Sequence, residues 1–291
     1  MHRWEPSKRE HTLPSENDGP ARAQPRARAH ATGRPRDRTL GPEVRFKALA
    51  TDYDGTLAED GVVSERTLAA LRRARAAGRK LVLVTGRELE DLLRVFPDVD
   101  AFDLVVAENG ALLYRPHPVP TERPLASPPP ATFVQALLAR GVAPLSVGRI
   151  IVATWEPHEQ VVFDTIRELG LELEVIFNKG AVMVLPTGVN KASGLRAALV
   201  ELGLTSAAVV GVGDAENDHS LLGVCGLGVA VANAVPALKD RADLIMVAPR
   251  GAGVVELIDQ LLTTELEGVR KAKPHLVPPV VLADASGQSK R

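Results

Sequence analysis

The chain has little of several things that would place it in a specialised class. Its 291 residues include one cysteine, Cys225, so no disulfide can form within the chain, and a reducing compartment is indicated. Aromatic residues make up 3% of the sequence, which argues against surfaces that stack nucleic-acid bases. The formal net charge of −1 gives no general attraction to nucleic acid or anionic lipid. Since no apolar run is as long as a membrane span, a soluble, cytoplasmic protein that does not bind membranes is predicted.

The two ends of the chain differ in composition from its middle. Residues 20–40 contain six arginines and one acid, together with several prolines and glycines and no apolar periodicity. Such a segment buries too little surface to offset the entropy of ordering, so 1–42 is predicted to be a disordered basic tail. A basic arm that touches nucleic acid is the alternative interpretation. The proline-containing segment 269–291 is predicted to be a loose C-terminal tail.

Between these tails, strand-like and helix-like patterns alternate, and 45% of all residues are hydrophobic. This alternation predicts an α/β fold, with a Rossmann-like parallel sheet that carries helices on both faces. The predicted strands of this sheet are 47–51, 81–85, 104–107, 207–212, 227–231 and 244–247. The first predicted helix is capped by Ser64 and runs to Gly78. The other predicted helices cover 88–96, 191–202, 217–222, 236–241 and 254–262.

Polar residues follow four of the predicted strands, where parallel α/β sheets bind their ligands. The four segments are Asp52-Tyr53-Asp54-Gly55-Thr56, Thr85-Gly86-Arg87, Glu108-Asn109-Gly110 and Gly213-Asp214-Ala215-Glu216-Asn217-Asp218. Each segment alone is also typical of a turn or a helix cap. Together they predict a cluster of carboxylates, a hydroxyl and glycines at one edge of the sheet.

Two familiar loop motifs do not account for these segments. A calcium-binding loop that starts at Asp52 would need glycine and glutamate where the chain has Leu57 and Val63. A dinucleotide-binding loop that starts at Gly211 would need a third glycine where the chain has Glu216.

The order of the motifs resembles the haloacid dehalogenase superfamily, and more narrowly its Cof-type (type IIB) phosphatases. The residues that carry this resemblance are Asp52-x-Asp54-Gly55-Thr56, Thr85, Lys191 in Pro186-Thr-Gly-Val-Asn-Lys191, Gly213-Asp214-x-x-Asn217-Asp218, and Gly228 to Ala234 with Asn233. The match runs from about residue 44 to 262. It implies Mg²⁺ as the cofactor and a small phosphorylated metabolite as the substrate.

The resemblance also implies a role for each site residue, and the chemistry of the side chains is consistent with these roles. Asp52 would be the nucleophile, Asp54 the general acid and base, and Lys191 the cation beside the transferred phosphoryl group. The metal ligands would be Asp52, Asp54 through its backbone carbonyl, Asp214, and Asp218 directly or through water. The residues that bind phosphate or orient their neighbours would be Thr85, Gly86, Asn109 and Asn217.

The segment between Tyr114 and Leu185, about seventy residues, is long enough for a smaller domain. An α+β cap domain is predicted at 113–185, and the core domain is predicted to comprise 43–112 and 186–268. Within the cap, helices are predicted near 132–139 and at 159–169, and strands at 149–154, 171–176 and 181–185. The cap would exclude water and recognise the leaving group. Its candidates to face the substrate are Trp155, His158, Asn178 and Lys179, each of which has a surface or packing role as the alternative.

The leading hypothesis is a Mg²⁺-dependent phosphatase that acts on a sugar phosphate or a glycerate-type phosphomonoester through an aspartyl-phosphate. A phosphomutase with the same site and a non-catalytic phospho-ligand binding protein are the alternatives. The sequence leaves the substrate and the oligomeric state open.

Overall fold

The computed structural model describes residues 45–271. The predicted tail 1–42 lies outside the described residues, as does all but the start of the predicted tail 269–291. The strands are β1 (Ala48–Thr51), β2 (Lys80–Val84), β3 (Leu104–Ala107), β4 (Leu112–Arg115), β5 (Thr121–Pro124), β6 (Ser146–Val147), β7 (Val152–Trp155), β8 (Leu173–Asn178), β9 (Ala181–Pro186), β10 (Val209–Gly213), β11 (Leu227–Ala230) and β12 (Leu244–Ile245). The α-helices are α1 (Glu65–Ala76), α2 (Leu89–Val95), α3 (Ala131–Ala139), α4 (Glu159–Glu168), α5 (Lys191–Leu202), α6 (His219–Val224), α7 (Pro236–Lys239) and α8 (Arg250–Thr264).

The larger sheet has eight strands in the order β12-β11-β10-β1-β2-β3-β4-β5. The six strands from β12 to β3 are parallel, and β4 and β5 add an antiparallel edge. Successive side chains of a strand point to opposite faces, and both faces are covered here. Leu49 and Leu83 belong to the apolar cluster that contains α1 and α8 residues, whereas Ala50 and Val82 belong to the cluster that contains α5 and α6 residues. The predicted α/β class, with helices on both faces, is confirmed.

A second, smaller sheet consists of four antiparallel strands in the order β6-β7-β9-β8. Helices α3 and α4 cover one face of this sheet through a core that includes Phe133, Val162 and Val182. The opposite face carries Ala153 of β7 and Met183 of β9, which alternate with the buried positions of their strands. This face is turned toward the larger sheet, and we call the unit the cap.

The predicted cap boundary at 113 lies within β4, a strand of the larger sheet. β4 and β5, which end at Pro124, pair with the larger sheet, because β4 returns antiparallel beside β3 and extends its edge. We therefore propose that the cap comprises residues 125–186. At the other end, Val269 packs against the core and its carbonyl oxygen accepts a hydrogen bond of 2.9 Å from Arg45. The contacts of the core domain thus pass the predicted end at 268.

Two predicted elements differ in extent from those observed. The predicted strand 149–154 begins only at Val152, because the backbone N–H groups of residues 149–151 bind a carboxylate of the core instead of a neighbouring strand. The final helix begins at Arg250, four residues before its predicted start, directly after Pro249. Among residues 45–271, no helix has the length and apolar character needed to cross a bilayer.

The turn after β3 brings the larger sheet against the start of α5. Gly110 has a φ of +110°, and a Cβ at this position would lie 2.0 Å from the carbonyl oxygen of Asn190. Asn190 caps α5 with its side chain, which accepts hydrogen bonds from the N–H groups of Ala192 and Ser193. The absence of a side chain at Gly110 therefore allows the capped start of α5 to lie directly against this turn.

We predict that Gly110→Ala lowers the free energy of unfolding by roughly 3 kcal/mol, since it adds a contact with backbone to left-handed strain. Urea unfolding of the purified variant measures the loss. Gly203→Ala is the matched control, because Gly203 ends the same helix with a φ of +65° and has open space around it. This control should lose only about 1 kcal/mol, from strain alone. Equal losses in the two variants would contradict the steric argument.

Candidate active site

Four parallel strands of the larger sheet deliver polar residues to one edge. Asp52 follows β1, Thr85 follows β2, Asn109 follows β3 and Asp214 follows β10. Because the strands are parallel and adjacent, their carboxyl ends lie side by side. The structure thus brings together the segments that the sequence analysis singled out.

Three carboxylates form the centre of the site. Asp52, Asp214 and Asp218 are at most 5% exposed, and one oxygen from each lies within 4.8 Å of the others. Burial raises the pKa of both Asp52 and Asp214, against the lowering effect of nearby lysines. Buried acids at this spacing are unfavourable unless cations join them. Hard oxygens in such a group fit a divalent cation of the Mg²⁺ type.

Lys191 supplies one positive charge from the first residue of α5. Its side chain is 1% exposed, and its Nζ donates to Asp52 Oδ1 at 2.6 Å and to Asp218 Oδ1 at 2.7 Å. Burial alone would lower its pKa, but the charges of Asp218 and Asp52 outweigh burial and raise it. Lys191 therefore remains an ammonium ion beside Asp52.

Asp218 organises this arrangement through both of its oxygens. Besides accepting from Lys191, it accepts hydrogen bonds from the backbone N–H groups of Asp214 at 2.9 Å and Ala215 at 3.0 Å. A Cβ on Gly213 would lie 2.5 Å from the Asp218 carboxyl carbon, so the close approach depends on glycine. These bonds fix the loop after β10 and the position of the Lys191 ammonium.

Asp214 is held from the core and from the cap. Thr56 donates its hydroxyl to Asp214 Oδ1 at 3.0 Å, and Lys179 of the cap donates to Asp214 Oδ2 at 2.7 Å. Asn233 donates to the carbonyl oxygen of Gly55 at 2.8 Å, and so ties the loop after β11 to the turn after β1. Thr56 and Asn233 are part of the motifs that carry the family resemblance, but the sequence analysis assigned them no role.

Asp54 does not join the buried cluster with its side chain. Its two carboxylate oxygens each accept a hydrogen bond of 2.7 Å from Arg87, which also pairs with Asp91. The Asp54 side chain is 43% exposed. Sequence reasoning missed Arg87, although it directly follows Thr85 and Gly86. The signal that was available is an arginine at a strand end; the carboxylate that its planar fork matches is apparent only from the structure.

Of the four predicted phosphate-binding residues, Gly86 and Asn217 line the cavity beside Asp52, whereas Thr85 and Asn109 lie behind them and contact their neighbours. Asn217 Nδ2 donates to Asn109 Oδ1 at 3.0 Å, and the other amide atoms, Asn109 Nδ2 and Asn217 Oδ1, are buried without a partner among the described residues. Thr85 is fully buried, and its hydroxyl oxygen accepts from the N–H of Arg87 at 3.1 Å.

A cavity of about 400 Å³ lies between the acid cluster and the open face of the cap sheet. Its lining comprises Asp52, Asp54, Gly86, Arg87, Asp91, Ala153, Trp155, Asn178, Lys179, Ala181, Met183, Ala215 and Asn217. A wider crevice along α2 shares Gly86, Arg87 and Trp155 with it. A small substrate at Asp52 would therefore be enclosed by residues of both units.

The cap candidates from the sequence have different positions. Trp155, Asn178 and Lys179 line the cavity. His158 precedes α4, and its Nε2 lies 3.0 Å from the carbonyl oxygen of Ala143, within the cap itself. The structure thus gives His158 a packing role.

One core carboxylate fastens the cap to the larger sheet. Glu108 is 1% exposed, and its oxygens accept hydrogen bonds from the backbone N–H groups of Arg149 at 2.8 Å, Ile150 at 2.7 Å and Ile151 at 3.0 Å. Glu108 has a φ of +52° and Asn109 a φ of +54°, both in the left-handed region. The strained turn after β3 therefore serves the site on one side and the cap on the other.

The family model of the haloacid dehalogenase-like hydrolases matches residues 49–128 and 147–258. The chain belongs to this family. The matched residues include Asp52, Asp54, Lys191 and Asp214, so the whole acid cluster lies within the part that defines the family. The predicted family is thereby confirmed.

Individual relatives of this haloacid dehalogenase-like hydrolase agree. Phosphoglycolate phosphatase of Methanothermobacter thermautotrophicus is 32% identical over 223 residues, which span 75% of this chain and 99% of that protein. Phosphoglycolate phosphatase 2 of Saccharolobus solfataricus is 32% identical over 225 residues, 74% of this chain and 92% of that protein. The solved structure of a subclass IIB sugar phosphatase has a TM-score of 0.61 at 21% identity and covers 74% of this chain and 99% of its own; this likeness concerns the fold. The predictions of a type IIB fold and of a hydrolase acting on phosphomonoesters are confirmed.

We predict that Glu108→Gln loosens the cap, because an amide NH₂ cannot accept a backbone N–H as the lost oxygen did. Hydrogen exchange at residues 149–151 should accelerate, and the free energy of unfolding should fall by about 2 kcal/mol. Exchange measured by mass spectrometry on peptides that cover 145–155 tests this.

The matched control for this variant is Glu90→Gln. Glu90 lies 2.9 Å from the Arg149 guanidinium, but its side chain is 76% exposed. An exposed pair contributes little, so the free energy should change by less than about 0.5 kcal/mol. Equal protection of 149–151 in Glu108→Gln and in the wild type would disprove the fastening role.

Proposed function

We propose that the chain is a Mg²⁺-dependent phosphatase that hydrolyses a small phosphomonoester, with 2-phosphoglycolate as the first candidate, through an aspartyl-phosphate on Asp52. The observation that carries the proposal is the buried carboxylate of Asp52 at the tip of β1, with the Lys191 ammonium 2.6 Å away. The substrate is supported by the two related phosphoglycolate phosphatases, of which 99% and 92% of the length is matched.

In the first half of the reaction, an oxygen of Asp52 attacks phosphorus, and the bond between phosphorus and the ester oxygen breaks. The departing alkoxide takes a proton from Asp54. In the structure Arg87 occupies both Asp54 oxygens with hydrogen bonds of 2.7 Å, so the step requires Arg87 to release the oxygen that carries the proton while it keeps the other in place. In the second half, water attacks the same phosphorus, gives its proton to Asp54 and releases phosphate and the free Asp52 carboxylate.

Lys191 is suited to stabilise the charge that develops on the phosphoryl oxygens. It is buried, charged and already adjacent to Asp52, so it needs no reorganisation during the reaction. Asn217 and Gly86 line the cavity from two further strand ends, and we propose that their amide groups bind the remaining phosphoryl oxygens. We propose that Thr85 and Asn109 act indirectly, Thr85 through the turn at Arg87 and Asn109 through Asn217.

The residues that fit a divalent cation are Asp52 and Asp214 with their carboxylates and Asp54 with its backbone carbonyl oxygen. Bound there, Mg²⁺ would offset the repulsion between the acids and the phosphate dianion. Asp218 has both oxygens engaged by hydrogen bonds from the chain, so we assign it the positioning of Lys191 and of the loop after β10. Direct ligation would require it to release one of them.

The first experiment measures phosphate release from 2-phosphoglycolate, glycerate phosphates, hexose phosphates and nucleotide monophosphates, with Mg²⁺ and with EDTA. Steady, metal-dependent release is expected, with phosphoglycolate among the preferred substrates. Formation of a phosphate isomer without release would replace hydrolysis by a phosphomutase reaction. If these compounds bind but none is turned over, the chain is a non-catalytic phospho-ligand binding protein.

We predict that Asp52→Asn lowers kcat by several orders of magnitude, on the order of 10⁴-fold or more, because it removes the nucleophile. The fold should persist, as circular dichroism would show. Asp240→Asn is the matched control, because Asp240 is exposed at the C-terminal end of α7 and lies outside the cavity lining; it should keep kcat within about twofold. Borohydride should reduce the acyl phosphate trapped during turnover, and mass spectrometry should locate the change at residue 52. An active Asp52→Asn enzyme would end the mechanism.

A further inference from the structure

Lys179 occupies a backbone position that a lysine rarely takes. It forms, with Gly180, the two-residue turn between β8 and β9, and the two residues have φ values of +49° and +85°. Turns of this kind favour asparagine, aspartate or glycine, since other side chains are strained at positive φ. A strained backbone in a cavity wall is a reason to look for a function of the side chain.

The contacts of Lys179 give limited stability in return for that strain. Its Nζ lies 2.7 Å from Asp214 Oδ2 and 3.4 Å from the backbone oxygen of Asp54. The Lys179 side chain is 46% exposed, whereas that of Asp214 is 2% exposed. Because the lysine is half solvated, this pair contributes less to folding than a fully buried pair, although it offsets part of the cost of burying Asp214. The lysine is therefore better explained by what the cavity binds.

The two oxygens that Lys179 contacts are also proposed ligands of the divalent cation. An ammonium group and a metal ion cannot both occupy the space beside Asp214 Oδ2 and the Asp54 carbonyl. Lys179 has four rotatable side-chain bonds and lines the cavity together with Asn178 and Trp155. When Asp214 ligates a metal, the ammonium is free to turn toward the substrate.

Among the described residues that line this cavity, the cationic side chains are Arg87 and Lys179. Arg87 is already committed to both oxygens of Asp54 and to Asp91. We infer that Lys179 is a specificity-determining residue: its ammonium pairs with a carboxylate on the alcohol portion of the substrate. The inference rests on the proposed function. Because Lys179 reaches Asp214, whose oxygen lies within 4.8 Å of one on Asp52, that carboxylate must lie only a few bonds from phosphorus.

The first test compares Lys179→Met with the wild type on two substrates of similar size. In 2-phosphoglycolate the alcohol carries a carboxylate, and in 2-hydroxyethyl phosphate it carries a neutral hydroxymethyl group. The variant should lose about 10- to 100-fold in kcat/KM toward phosphoglycolate, the size of a lost charge-assisted hydrogen bond. It should change less than about threefold toward 2-hydroxyethyl phosphate. Lys179→Arg should retain most of the preference.

The second test is independent of turnover and measures Mn²⁺ binding by isothermal titration calorimetry. Lys179→Met should bind Mn²⁺ several-fold more tightly than the wild type, because the ammonium no longer competes for Asp214 Oδ2. Lys47→Met is the matched control: Lys47 is exposed and precedes β1, at the end opposite the site. It should match the wild type in both tests.

The outcomes separate the two proposals. An active wild type whose preference for phosphoglycolate survives in Lys179→Met overturns the specificity role and leaves the proposed function standing. A wild type that hydrolyses neither ester overturns the proposed function and with it the assigned substrate. Unchanged or weaker Mn²⁺ binding by Lys179→Met overturns the competition at Asp214 whatever the enzyme hydrolyses.

Discussion

The site depends on one buried ammonium group held between two buried carboxylates. Lys191 joins Asp52, from β1, to Asp218, from the loop after β10, so it links segments that are far apart in the chain. Removing one partner of such a group leaves an uncompensated buried charge, which is far less favourable than losing a surface pair. The glycine at 110 allows the start of α5, which carries this ammonium group, to pack directly against the turn after β3. The electrostatics of the site therefore depend on the local backbone geometry at Gly110.

Much of the fold and of the acid cluster could be predicted from the sequence, for different physical reasons. The parallel sheet followed from apolar strands that alternate with helices, and the shared edge followed from the geometry of parallel strands. Asp52, Lys191 and Asp214 were predicted because their motifs occur in a fixed order. Arg87 and Glu108 stood in the quoted segments, yet their roles depend on partners, Asp54 and the N–H groups of 149–151, which no local pattern specifies.

The boundary of the cap and the extent of some elements could not be predicted for a related reason. β5 is exposed at the edge of the larger sheet and contains Pro124, so its sequence resembles a loop and only its pairing with β4 makes it a strand. Lys179 was a candidate to face the substrate, but the sequence could not separate this role from a surface role, because its contact with Asp214 depends on a two-residue turn of the cap. Sequence periodicity reports burial, whereas these features arise from contacts between distant segments.

The hydrogen bonds from the cap to Glu108 determine which substitutions the cap segment 149–151 can accept during evolution. The carboxylate binds backbone N–H groups and no side chains, so a substitution at 149, 150 or 151 keeps these hydrogen bonds wherever the backbone keeps its course. Proline cannot, since it lacks the amide hydrogen. Ile150 and Ile151 are also buried in an apolar cluster, so those two positions are restricted to apolar residues that fit, whereas the half-exposed position 149 tolerates a wider range.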